Sequence, residues 1–90
     1  MNTQALSAHV LYTLAQAQME GRGTNLEALT EALAVRRGDV RRCVSQLDRE
    51  GYVDALRMRL TLPGFAIARA LTAAALPLLR RPRLEIVVAA

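Results

Sequence analysis

LEALTEALAVRRGDVRRCVSQLDREGYV, residues 26–53, decides how this chain folds, because two helical hydrophobic repeats meet in it with almost nothing between them. Leu26, Leu29 and Leu33 recur at the spacing that places them on one side of a helix. Val40, Cys43, Val44 and Leu47 repeat the pattern at i, i+3, i+4 and i+7. The intervening Ala34-Val35-Arg36 is too short for a true loop, so the spacing predicts a helix, a tight turn and a further helix over about residues 37–50. Thr24 or Asn25 is placed to cap the first of these helices, which carries Glu27 and Glu31 in its early turns. Gly51 is placed to end the second in a left-handed conformation.

On the N-terminal side, residues 4–20 read as an earlier helix with Leu6, Val10, Leu14 and Ala17 on one stripe, ended by Gly21-Arg22-Gly23. Beyond Gly51 the period changes. Tyr52-Val53-Asp54-Ala55 reads as a short strand, and Leu56, Met58, Leu60 and Leu62 alternate with Arg57, Arg59 and Thr61, the period of two of a strand. A hairpin turning near residues 54–57 fits both segments. Pro63 suits the first position of a last helix, with Thr61 or Leu62 just outside it. That helix, expected over 63–80, is apolar on nearly every side, and residues 84–88 have the composition of a terminal strand. The expected fold class is therefore mainly α with a small β-hairpin, in one domain spanning 1–90. Its order is that of a winged helix-turn-helix: helix-turn-helix 24–51, wing 52–62, then the last helix.

Composition narrows the function. Ninety residues support one modest core, and a 52% hydrophobic content excludes disorder. The aromatic residues are Tyr12, Tyr52 and Phe65, so Leu, Val, Ala and Met must build that core. Net charge is +4, all twelve basic residues are arginine, and this balance favours an anionic partner weakly. Cys43 is the single cysteine, which excludes an internal disulfide, and its place on the apolar stripe makes it a core residue. His9 has no metal-ligand partner at useful spacing. Neither a nucleophile–base set nor a phosphate-cradling glycine loop is present, and GRGTN (residues 21–25) links helices, so no catalysis, metal or cofactor is expected. MNTQALSAHV lacks the layout of a signal peptide, and the charge-free stretch over 70–79 is broken by Pro77 and too short for a bilayer. A soluble protein of the reducing cytoplasm, with no membrane partner, is the expectation.

The stretch from Leu26 to Gly64 resembles the DNA-binding core of winged-helix bacterial regulators of the MarR and ArsR type. Leu29, Leu33, Val35, Val40, Val44, Leu47, Gly51, Val53, Leu60, Thr61 and Gly64 carry the likeness, which extends over residues 24–66. The resemblance implies a recognition helix in the major groove, a two-stranded wing and a role in transcription regulation. The chain departs from the pattern at Ala34, where glycine is usual, at Thr30, where a small alanine is usual, and at Arg36, where Ser or Thr usually caps the recognition helix. The wing is very short, and one His with one Cys does not supply an ArsR-like metal cluster.

A helix buried through Val40, Cys43, Val44 and Leu47 turns Arg37, Gly38, Arg41, Arg42 and Ser45 outward, the face that such proteins present to DNA. Arginine donates two hydrogen bonds to guanine O6 and N7 or clamps a phosphate, and Gly38 lets the backbone approach the duplex. Arg36 in the turn and Arg57 or Arg59 on the wing are placed for flanking phosphates. Pairing with Asp39, Asp48 or Glu50 on a solvated helix face is the alternative for these arginines, and Arg49, beside Asp48 and Glu50, is assigned to it. An all-round apolar last helix calls for a two-fold partner, with Leu6, Val10, Phe65, Ile67, Leu71, Ala74 and Leu78 as the expected homodimer interface. The competing reading is a winged-helix protein-interaction module within a larger assembly, docking through the last helix and LEIVV (residues 84–88) without DNA binding.

Overall fold

A computed structural model of the chain describes residues 3–71. Within them lie α1 (Thr3–Met19), α2 (Leu26–Leu33), α3 (Arg37–Arg49), β1 (Val53–Asp54), β2 (Arg59–Leu60) and α4 (Leu62–Arg69). The fold is mainly helical with a small two-stranded antiparallel sheet, an order compatible with a winged-helix arrangement.

α1 is the centre of the domain and packs against α2, α3, β2 and α4. Accordingly it buries more than one stripe: Ala5, Leu11 and Ala15 are buried beside the expected Leu6, Val10, Leu14 and Ala17. Leu29 and Leu33 of α2 and Val40, Cys43, Val44 and Leu47 of α3 complete the core with Val53, Leu60 and Ala68. The helix ends follow local chemistry. Asn25 Oδ1 accepts the Ala28 N–H at 2.8 Å, so Asn25 rather than Thr24 caps α2. Gly21 and Gly51 both adopt positive φ. The next residues, Arg22 and Tyr52, donate N–H to Ala17 O at 2.8 Å and Leu47 O at 2.9 Å, so α1 and α3 end in the same glycine-dependent motif.

The hairpin differs from its expected form. Val53 pairs with Leu60 and Asp54 with Arg59, which leaves Ala55–Met58 as the turn. Asp54 Oδ1 accepts the N–H groups of Leu56 at 3.1 Å and Arg57 at 3.3 Å, and Met58 closes the turn at φ 53°. The alternation from Leu56 to Leu62 is therefore not one strand face. Leu60 alone is buried; Leu56 in the turn is 95% exposed, and Leu62, 88% exposed, already belongs to α4.

α4 ends earlier than the helix expected over 63–80. Thr61 caps it, its Oγ1 accepting the Gly64 N–H at 3.2 Å, with Pro63 in the first turn. It ends at Arg69, where Ala70 and Leu71 donate to Ile67 O and Ala68 O, bonds that tighten the final turn. α4 is also not buried all round. Gly64 and Ala68, four residues apart, face the core, whereas Leu62, Ala66 and Ile67 are exposed. Residues 72–80 of the expected helix and the possible strand 84–88 lie outside the described residues.

Candidate nucleic-acid interface

α3 is oriented by its apolar stripe. Val40, Cys43, Val44 and Leu47 are all buried, so the opposite side of the helix is committed to the outside. Gly38, Arg37, Arg41, Arg42 and Ser45 are exposed there, as are Arg36 in the turn and Arg57 and Arg59 on the hairpin. A Cβ built at Gly38 would meet nothing within 4 Å, so no packing among the described residues demands glycine at that position.

Ion pairing divides these arginines. Arg37 Nη1 lies 3.8 Å from Glu27 Oε1, and Arg57 Nε lies 3.8 Å from Asp54 Oδ2; both pairs are exposed and loose. Arg42 donates to Asp39 one turn earlier, the pairing foreseen for a solvated helix face. Arg36, Arg41 and Arg59 have no carboxylate partner among the described residues. Arg41 and Arg42 also diverge, since consecutive helical residues point about 100° apart. Arg42 stands on the rim of an open groove between α1, α3 and α4, whereas Arg41 does not line it. That groove encloses about 860 Å³ among the described residues, over an apolar floor that includes Leu11, Leu47, Ile67 and Leu71.

Two basic residues outside the expected interface are also exposed. Arg49, expected to pair with Asp48 or Glu50, pairs with neither. Asp48 Oδ2 accepts the Ala55 N–H at 3.4 Å instead, and Glu50 Oε2 accepts from Gln46 at 3.3 Å. Arg22, read as loop, lines a small cleft together with Arg57 and Arg59. No signal in a single sequence brings Arg22 to the hairpin, because two helices lie between them in the chain.

The expected partner surface is corrected in part. Leu6 is 3% and Val10 0% exposed, both inside the domain's own core, and α1 is too central to offer them to a second chain. Phe65 and Leu71 are half-buried against the same core, and Ile67 is 40% exposed. Ala74 and Leu78 lie outside the described residues. Cys43 is buried, with Sγ 3.4 Å from Ser7 Oγ. Burial raises its thiol pKa above the ordinary value and the Glu50 charge adds to this, while the Ser7 bond opposes it. No helix among the described residues is long and apolar enough to cross a membrane, and no group of three His, Cys, Asp or Glu side chains there can hold a metal. Comparison with protein families, curated proteins and solved structures gives no match for this chain.

Proposed function

We propose that the chain is a winged helix-turn-helix protein that binds double-stranded DNA and acts as a dimeric bacterial transcription regulator. α2, the turn at Ala34–Arg36 and α3 form the helix-turn-helix, and the β1–β2 hairpin is the wing. One observation carries the reading: Arg36, Arg37 and Arg41 are exposed together at the N-terminal end of α3, on a helix whose other side is locked into the core. Arg41 and Ser45 are the base-reading candidates, Arg37 joins them once Glu27 releases it, and Arg36 takes a phosphate. Arg42 reaches the duplex only by leaving Asp39, so its share is smaller than that of Arg41. Dimerisation rests on the exposed apolar side of α4, Leu62 and Ile67, with recognition helices about 34 Å apart on a palindromic site.

Duplex titration at several salt concentrations tests the proposal. Log K is expected to fall with log salt at about −0.9 per phosphate contacted. Arg41→Ala is expected to lose about 1–3 kcal/mol of binding with helicity unchanged. A second reading, a protein-interaction module, is favoured by the apolar floor of the groove between α1, α3 and α4. Absence of DNA binding at low salt, together with stable self-association in sedimentation, selects it.

A further inference from the structure

We infer that the cleft between the α1–α2 loop and the hairpin is a phosphate-binding site built by Arg22, Arg57 and Arg59. The cleft holds about 280 Å³ and brings Arg22 from one wall to Arg57 and Arg59 on the other. Both walls are fixed. Gln18 Oε1 accepts the Leu60 N–H at 2.6 Å, which ties the hairpin to α1, and the Arg22 N–H bonds Ala17 O at 2.8 Å, which sets the loop.

One of the guanidiniums is held by its inner edge and a second is loosely paired there. Arg22 Nε donates to Glu20 Oε1 at 2.6 Å, and Arg57 Nε faces Asp54 Oδ2 at 3.8 Å. At Arg22 the carboxylate at Nε orients the group and leaves the outer Nη pair to donate, the edge that grips a tetrahedral oxyanion. Arg59 has no carboxylate partner among the described residues. Three guanidiniums around one cleft repel each other, and Glu20 and Asp54 offset only part of that repulsion. A phosphate oxyanion between them offsets the remainder. Gln18, whose Oε1 is already used, has its amide N–H groups as further donors on the same wall.

The shared chemistry is a phosphate oxyanion, whether a diester of a nucleic-acid backbone or a free phosphorylated molecule. The site does not depend on the DNA reading; only the assignment of its phosphate to a duplex rests on that reading.

Inorganic phosphate titrated into the full chain at constant ionic strength, with the arginine Nε–H resonances followed by NMR, tests it. Saturable shifts at Arg22, Arg57 and Arg59, absent with chloride and absent at the exposed Arg69, are expected. Arg22→Gln and Arg59→Gln are each expected to weaken phosphate binding about tenfold, the loss of one charge-assisted hydrogen bond. Both side chains are exposed, so unchanged melting temperatures are expected to accompany that loss. If Arg22→Gln also lowers the salt slope of duplex binding by about one, the phosphate belongs to DNA. If it weakens inorganic phosphate but leaves duplex binding unchanged, the ligand is a free phosphorylated molecule. Phosphate binding in a chain that binds no duplex keeps the site and removes the DNA reading. Shifts spread equally over all exposed arginines, or surviving both substitutions, overturn the site.

Discussion

Gly64 at the start of α4 lies so close to Tyr52 that a Cβ built on it would sit 1.8 Å from the Tyr52 carbonyl oxygen. The same carbonyl accepts the Thr61 N–H at 3.1 Å, and Thr61 Oγ1 donates to Gly51 O at 2.6 Å. The exit from α3 and the entry to α4 are thus knotted through backbone atoms, with glycine as the only residue that fits the crossing.

Gly64→Ala forces the backbone of one segment to move. It is expected to destabilise the domain by about 3 kcal/mol, the upper range for overpacking where the neighbour is backbone. Urea unfolding followed by circular dichroism measures it, and a loss below about 1 kcal/mol would show that α4 shifts freely.

Ala34 ends α2 in the left-handed region, φ 55° and ψ 43°, where its Cβ is strained. Ala34→Gly relieves that strain at the cost of a freer unfolded chain, so a net gain of about 0.5–1 kcal/mol is expected. A higher urea midpoint with an unchanged slope is the signature.

Arg36 occupies the N-cap of α3 and makes no side-chain capping bond. Arg36→Ser supplies one and is expected to raise stability by about 1 kcal/mol. If Arg36 holds a phosphate, the same substitution lowers the salt slope of duplex binding by about one. Stability and binding then move in opposite directions, which a structural role alone does not produce.

Cys43 is held protonated in the fold, while the unfolded thiol ionises at its ordinary value. Above that value the unfolded chain has released its proton and the folded one has not, so stability falls as pH rises towards the folded pKa. The limiting slope is about 1.4 kcal/mol per pH unit for one proton, and it is full stability that is retained below the ordinary thiol value. Unfolding curves of the native chain and of Cys43→Ala between pH 7 and 10 are expected to diverge in this direction. An identical pH dependence would dismiss the contribution.

Much of the fold is legible in the order of residues, because short-range physics dominates it. The period of Val40, Cys43, Val44 and Leu47 sets both the extent of α3 and the side it buries. Gly51 and Asn25 mark ends through conformational and capping preferences that need only neighbouring atoms. The hairpin is less legible, since alternation over Leu56–Leu62 mimics a strand that the turn at Asp54 cuts to two residues. Leu6 and Val10 look the same in sequence whether a core or a partner covers them.

Residue order alone sets the succession of helix, turn and helix, the buried stripe of α3 and therefore the side on which its arginines stand. Periodicity settles those, because a helix fixes the relative direction of its own side chains. Rotamer choice turns Arg42, and not Arg41, to Asp39, and long-range packing sets α1 at the centre. The same packing brings Arg22 to Arg57 and Arg59. These are relations between residues far apart in the chain or dependent on rotamers, and packing, not local preference, selects them.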